Sequence, residues 1–296
     1  MKDFIKGLVS IAIPAYKKTF LNEAIESALQ QTYSNIELII VNDKSPYDLD
    51  EIVKEYSDSR VRYYKNDVNI GGKSIVYNWN RCLEYAKGEF FVLLCDDDLL
   101  MPSFVEKLLS LAYKFPACSV FHARRNVGDE QTGVNEMGTI WPEFESYSDF
   151  VKNKYDGKRE HTITEFMYRT EDLKKFGYKV YPKGWCSDGA SVVMMTRLGG
   201  IASSLEPLAV FRKSTEHISH GGYGEFDKAR ATLMYRSFLL SIGEDILPTT
   251  NVDNLIQHLL LGHWHYLNLW EKLYILWKTP WGIFSLRAKI ALLGGA

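Results

Sequence analysis

Three consecutive carboxylates, Asp96, Asp97 and Asp98, follow a short apolar run, Phe90-Phe91-Val92-Leu93-Leu94, with Cys95 between. An unbroken apolar run of this length reads as a strand buried on both faces of a parallel sheet. Unpaired carboxylates inside that core would cost far more than a strand gains, so the triplet must emerge at the strand's carboxyl end. That edge is where open α/β sheets hold their ligands. Three adjacent like charges repel unless a cation or donors compensate, and a hard, oxygen-seeking ion such as Mg²⁺ or Mn²⁺ suits them. Solvated turns also carry consecutive Asp residues, and from the triplet alone both readings stand. Pro102 is expected to open the following helix, where its missing N–H does no harm.

A second carboxylate with chemical potential is Asp188, in Trp185-Cys186-Ser187-Asp188 ahead of an apolar helix over 190–198. Near a helix start, capping competes with chemistry as the reason for an Asp.

The elements that must position these groups alternate. Residues 8–13 form a first buried strand that Pro14 stops. Leu21, Ala24, Ile25, Ala28 and Leu29 keep amphipathic helical spacing, ending near Gln31. A second strand spans 36–41, with Asn42-Asp43-Lys44-Ser45-Pro46 as a turn at its carboxyl end. A short helix near 49–56, a strand at 61–64, the loop Asn69-Ile70-Gly71-Gly72 and a helix over 74–86 lead to the strand before the triplet. Four rounds of strand and helix argue for a mostly parallel sheet covered on both faces. Where a dinucleotide-binding protein carries a Gly-rich turn, this chain has Pro14-Ala15-Tyr16-Lys17-Lys18, and no Walker phosphate loop occurs. Residues 124–160 lack a steady period and read as variable loops beside the site. Regularity returns over 163–168 and in a short helix closed by Gly177.

Composition excludes several classes. The chain has 296 residues, 46% hydrophobic and 24% charged, with formal net charge −2. That is enough for a full core, and no basic stripe marks a nucleic-acid partner. The four cysteines are scattered, with no Cys-x-x-Cys pair, and read as reduced core residues of a cytosolic protein. Residues 1–7 lack the apolar stretch of a signal peptide, and no window has the length and apolarity of a membrane span. Residues 225–296 look helical and hold Trp264, Trp270, Trp277 and Trp281. Over 269–292 aromatic and aliphatic residues mix with Lys272, Lys278, Arg287 and Lys289, which suits an interfacial helix on a membrane surface. Packing against the body or against a second subunit explains the same composition.

Val9-Ser10-Ile11-Ala12-Ile13-Pro14-Ala15-Tyr16, Glu37-Leu38-Ile39-Ile40-Val41-Asn42-Asp43-Lys44-Ser45 and Ala86-Lys87-Gly88-Glu89-Phe90 running into the Asp triplet together resemble the family 2 glycosyltransferases over roughly residues 7–220. The resemblance implies a GT-A-type α/β fold, a mostly parallel sheet flanked by helices. It implies a nucleotide-sugar-dependent, inverting transferase with a divalent metal, Mn²⁺ or Mg²⁺. Residues 1–222 would be the catalytic domain and 223–296 a helical extension. In the resembling pattern Asp43 accepts from the uracil N–H of a UDP sugar, with Pro14, Ala15 and Tyr16 beside the base. Asp97 is then the metal ligand, Asp96 faces the ribose or completes the site, and Asp98 belongs to the metal cluster. The family's usual first Asp is Cys95 here.

Asp188 matches the family's general base, with Ser187 in place of the customary Glu. Val210-Phe211-Arg212-Lys213-Ser214-Thr215-Glu216-His217-Ile218-Ser219 resembles a late loop whose Arg, His and Ser approach the diphosphate, with Arg212 and Ser219 ahead of His217. Lys73 and Asn78 receive no role. The acceptor implied is a glycan or lipid-linked hydroxyl, met at the cytoplasmic membrane face or free of it, by a monomer or a homodimer. Loops over 124–160 and near Trp185 would set sugar selectivity. A sugar-nucleotide pyrophosphorylase shares a related fold but needs a Gly-rich amino-terminal loop that residues 13–20 lack. A non-catalytic scaffold would have no reason to keep both the triplet and Asp188.

Overall fold

The computed structural model describes residues 4–129, 135–213, 222, 224–280, 282–285, 288, 289, 291 and 292. The first half runs β1 (Ile5–Ala15), α1 (Leu21–Leu29), β2 (Ile36–Asn42), α2 (Leu49–Lys54), β3 (Val61–Lys65), α3 (Val76–Tyr85) and β4 (Gly88–Leu93). It continues through β5 (Leu99–Leu100), α4 (Phe104–Lys114), β6 (Val120–Asp129), β7 (Asn135–Met137), β8 (Phe144–Glu145) and α5 (Tyr147–Tyr155). The rest comprises β9 (Phe166–Arg169), α6 (Thr170–Phe176), α7 (Ser187–Thr196), β10 (Ile201–Lys213), α8 (Glu225–Leu240), α9 (Thr249–Trp264) and α10 (Leu269–Lys278).

One sheet has the order β3-β2-β1-β4-β9-β6-β10-β5, with β7 on β6 and β8 on β10. β1 pairs in parallel with β2, Val9 opposite Ile36 through Ala15 opposite Asn42, and with β4, Ala12 opposite Leu93. β9 inserts antiparallel between β4 and β6, while β6 and β10 run parallel. Side chains alternate along each strand and so divide between two cores. On one face Ile11, Ile13, Leu38, Ile40, Phe90 and Val92 meet α1, α2 and α4; on the other Ile39, Val41, Phe91 and Leu93 meet α3 and α5 to α10. β2 is buried throughout, which its continuous apolar sequence requires. Gly88 is forced at the β4 start, because a Cβ there would lie 2.5 Å from the Leu8 carbonyl oxygen.

Three expectations need correction. Pro14 does not stop β1 but pairs with Val41 inside it. Its missing N–H faces β4, whose last bond to β1 is Leu94 N–H to the Ala12 carbonyl, so no donor is lost. Pro102 lies before the cap of α4 rather than in its first turn, because β5 first pairs Leu99 and Leu100 with Val210 and Ala209. Residues 124–160 are not mainly loop: they contain most of β6, plus β7, β8 and α5. Their periodicity is hidden because ion pairs share the burial with apolar groups: Arg159 donates two hydrogen bonds to Glu145, both at 2.7 Å, and Arg125 donates one to Glu165 at 3.1 Å.

The carboxyl-terminal helices share a core with the sheet. Ala229 and Leu239 of α8, Val252 and Ile256 of α9 and Ile275 and Leu276 of α10 belong to the same buried cluster as Val76 and Phe91. The opposite side of α10 presents Trp270, Leu273, Tyr274 and Trp277 to solvent. Trp281 and Arg287 lie outside the described residues. Among those described, no helix is long and apolar enough to cross a membrane.

Candidate active site

Parallel strands that end at one edge bring their following residues together. Here β1, β2 and β4 deliver Tyr16, Asp43 and the triplet to a cleft of about 1070 Å³. Pro14, Asp96, Asp97 and Asp98 line it, as do Trp185 and Asp188. Sequence positions 14 to 188 thus converge on one space. Ala15, expected beside the base, is fully buried and is not among the lining residues.

Asp43 follows β2, and its amide donates to the Ala15 carbonyl at 3.0 Å. Its carboxylate accepts from Asn66 Nδ2 at 2.8 Å and from the Ile70 and Gly71 amides at 2.9 and 2.7 Å. One carboxylate therefore orders the loop that forms the neighbouring wall. Gly71 permits this contact, since a Cβ there would fall 2.6 Å from Asp43 Oδ2. Asn78 braces the same loop, linking the Val41 carbonyl to Asn66.

The triplet separates into three environments. Asp96 Oδ2 accepts the amides of Tyr16 and Lys17 at 2.8 and 2.7 Å, clamping the turn after β1. Asp98 accepts from Thr164 Oγ1 at 2.6 Å and from the Arg212 amide at 3.1 Å. Burial, then the adjacent Asp97, push the Asp98 carboxyl up to about 7. Asp97 meets the ammonium of Lys17, which also lies 3.6 Å from Asp96. Burial alone would lower the Lys17 pKa, but the two carboxylates outweigh it and raise it. Lys17 is thus a fixed cation among the acids.

Cys95, Asp97 and Asp98 offer atoms within 4.8 Å of one another that could hold a metal ion. The two carboxylates fit a hard divalent ion. Cys95 does not fit it: burial, then Asp98, push the thiol well above its ordinary range, so it keeps its proton.

Asp188 occupies the first turn of α7, and Cys186, not Asp188, is the residue at the helix cap. Cys186 adopts φ 63°, a left-handed conformation uncommon for a residue with a side chain, and this turns the chain so that Asp188 enters the cleft. The Asp188 side chain is 30% exposed, with Oδ2 4.0 Å from His161 Nε2. Burial raises its pKa, while Lys154 and the first-turn amides pull the other way. His161 is held neutral by burial, then by Lys154 and its neighbours. Its Nδ1 lies 3.2 Å from the Arg159 carbonyl, which assigns the proton to Nδ1 and leaves Nε2 to accept from Lys154 at 3.4 Å. The result is a carboxylate of raised basicity backed by an ammonium, an arrangement able to take a proton.

Arg212 is not among the residues lining the cleft. Its guanidinium donates to the Asp97 carbonyl at 3.0 Å and to Glu23 at 2.5 Å, and lies 4.1 Å from the centre of the Phe20 ring. His217 and Ser219 lie outside the described residues. Sequence reasoning gave no role to Lys17, Lys154 or His161. Only the first had a signal, a Lys pair in the turn where many nucleotide-binding folds place glycines.

The family model described as glycosyl transferase family 2 matches residues 10–177. A protein of Rickettsia typhi named as an uncharacterised glycosyltransferase is 40% identical over 108 residues, 36% of this chain and 32% of its own length. The Escherichia coli protein named UDP-Glc:alpha-D-GlcNAc-diphosphoundecaprenol beta-1,3-glucosyltransferase WfgD is 34% identical over 108 residues, 36% of this chain and 42% of its own. The chain thus spans well under half the length of these relatives. Among solved structures, Staphylococcus aureus TarS 1–349 in complex with UDP-GlcNAc superposes with a TM-score of 0.71 at 16% identity, covering 96% of this chain and 88% of that one. That likeness shows a shared fold, the α/β sheet with flanking and carboxyl-terminal helices.

Proposed function

The chain belongs to glycosyl transferase family 2, and from that premise we propose that it transfers a sugar, with inversion, from a UDP-hexose or UDP-N-acetylhexosamine to a hydroxyl of a glycan or lipid-linked acceptor. The observation that carries this reading is the single cleft in which the strand-end acids and Asp188 meet. Two names agree with it: the E. coli relative's includes UDP-Glc and a diphosphoundecaprenol, and the S. aureus structure's includes UDP-GlcNAc.

Within the cleft, Asp43 has lone-pair capacity left for the uracil N–H, and Tyr16, 40% exposed, flanks the base beside Pro14 and Ala15. Asp96 keeps the turn after β1 in place for the ribose. Asp97 and Asp98 would hold a divalent ion, Mn²⁺ or Mg²⁺, and such an ion supplies charge neutralisation for a departing diphosphate. Lys17 contributes positive charge at the same point. Asp188 takes the proton of the acceptor hydroxyl as that oxygen attacks the anomeric carbon, and its raised pKa suits the task. Ser219 keeps the diphosphate role that the family pattern implies for it. Arg212 joins them by exchanging Glu23 for phosphate, since a guanidinium pairs with either.

Residues 1–222 form the catalytic body and 223–296 the helical extension. The protein works at the cytoplasmic side of a membrane that the outer face of α10 touches, and pairing with a second copy would use the same helices. A calorimetric comparison of UDP, GDP and dTDP sugars, with Mn²⁺ and with EDTA, tests the reading. UDP sugars should bind best and only UDP binding should depend on the ion; indifference to both base and metal refutes it.

A further inference from the structure

A second pocket of about 270 Å³ lies beyond Trp185, the residue that lines both it and the main cleft. Its other walls come from α8, α9 and Tyr266, all outside the residues 10–177 of the family match. Glu225 organises it: this carboxylate accepts from Lys228 Nζ at 2.8 Å, from His263 Nδ1 at 2.5 Å and from the Gly222 amide at 3.2 Å. The Lys228 ammonium also lies 5.3 Å from the centre of the Trp185 ring. Burial lowers the pKa of His263, although Glu225 opposes this, so the imidazole is neutral near pH 7 and Nδ1 carries its proton. Nε2 must then be an acceptor. His263 is 5% exposed, and among the described residues neither its Nε2 nor the Trp185 indole Nε1–H has a hydrogen-bond partner. Buried polar atoms are seldom left so.

The two rings meet edge to face with centroids 5.2 Å apart. His263 and Trp185, which carry these buried unpartnered atoms, an acceptor and a donor, both line the pocket; Trp185 and Tyr266 give it two aromatic walls, and its charges are matched as Glu225 with Lys228. A hydroxyl can give its proton to His263 Nε2 and accept from Trp185, and the C–H face of a sugar ring packs on an aromatic ring. We propose that this pocket binds a neutral, hydroxylated ring of the acceptor, with His263 as a specificity-determining residue that aligns the acceptor for attack beside Asp188. The proposal rests on reading the main cleft as a sugar-transfer site. Trp185, three residues before Asp188, lines both spaces, so a ring held here lies beside the cleft that contains Asp188.

Methyl β-D-glucoside serves as the neutral probe and glucose 1-phosphate as the charged one, followed by saturation-transfer NMR and Trp fluorescence on the full chain. His263→Asn is the informative variant, since its amide can still donate to Glu225 but offers nothing in place of Nε2. The neutral glycoside should bind the wild type and bind His263→Asn about tenfold more weakly, the loss of roughly one hydrogen bond. UDP affinity should not change. Tyr266→Ser, at a residue 57% exposed, gives a second reading that does not disturb the buried trio, and should weaken glycoside binding as well. No glycoside binding, binding undiminished in both variants, or tighter binding of glucose 1-phosphate overturns the proposal and leaves the pocket to water. Calorimetry with UDP on the same samples separates the two readings. UDP binding without glycoside binding removes the subsite alone, and His263-dependent glycoside binding without UDP binding removes the transferase reading alone.

Discussion

The ammonium of Lys17 donates to Asp97 Oδ2, the carboxylate of the triplet least tied to the backbone, so the cleft already carries a protein cation where an ion would sit. Lys17 and a divalent ion therefore compete for Asp97. Lys17→Met removes the competitor and should tighten Mn²⁺ binding in the absence of nucleotide by about tenfold, the scale of one partly buried charge pair. Asp97→Ala should abolish the metal-dependent part of UDP affinity. Titration by Mn²⁺ electron paramagnetic resonance reads the first and calorimetry the second. Unchanged Mn²⁺ affinity in Lys17→Met, or a UDP affinity equal in Mn²⁺ and EDTA for the wild type, speaks against Asp97 as a ligand.

Lys154 pulls the Asp188 carboxyl down while burial raises it. Replacing the ammonium by Met at position 154 leaves burial opposed only by the first-turn amides, so the pKa of Asp188 should rise further. A base must be ionised to act, hence the acidic limb of the rate profile should move to higher pH by about one unit. The stability sign is opposite to that of a salt-bridged Asp. A raised folded pKa means the native state holds the proton more tightly than the unfolded chain, so stability falls as pH rises through the folded pKa. Asp188→Asn should remove that fall. Rate profiles and melting curves across pH 4 to 8 check both, and an acidic limb that stays in place in Lys154→Met excludes the coupling.

How far the sequence discloses this site depends on which interaction carries each part. The apolar runs of β1, β2 and β4 are local and continuous, so the strands and the edge where Asp43 and the triplet emerge are readable from residue order. The differing roles of Asp96, Asp97 and Asp98 are not, because they are decided by partners far away in sequence: Tyr16 and Lys17 for the first, Thr164 and Arg212 for the last. The strands after residue 119 were obscured for a related reason. β6 runs from apolar residues into the pair Arg124 and Arg125, whose charges are matched or hydrogen-bonded only once Gly138 and Glu165 fold beside them. The double reading of the tail has a physical cause as well. α10 carries apolar residues on both sides, with Ile275 and Leu276 in the core and Trp270 and Trp277 in solvent.

That outward face makes a prediction of its own. Trp270 and Trp277 are 79% and 74% exposed, with Leu273 and Tyr274 on the same face and Lys272 and Lys278 nearby. Trp270→Glu with Trp277→Glu removes the aromatic anchors and adds repulsion from anionic lipid. Sedimentation with anionic vesicles should drop at least about tenfold while the melting temperature stays near wild type, because neither ring belongs to the core. Truncation near Gly222 should instead unfold the protein, since α8 to α10 complete a buried cluster. Vesicle binding that survives the double substitution assigns the face to another partner.

Asp188 itself gives the sharpest test. It sits at the second position of α7 with Cys186 as the cap, so its carboxylate is not required to start the helix. Asp188→Asn preserves volume and removes one raised, partly buried carboxyl, so the melting temperature near pH 7 should hold or increase. A general base has no such tolerance: an amide cannot accept the proton of the acceptor hydroxyl, and transfer should fall by roughly 10²-fold or more. UDP-sugar affinity should stay near wild type, because the proposed donor site consists of Asp43, Asp96 and Asp97 at the strand ends and does not include Asp188. Stereochemistry supplies an independent check, for a single in-line displacement with one base leaves the product anomer inverted relative to the donor. Near-normal turnover of Asp188→Asn, or retention of configuration, would take Asp188 out of the mechanism and leave it as a charge neighbour of Lys154.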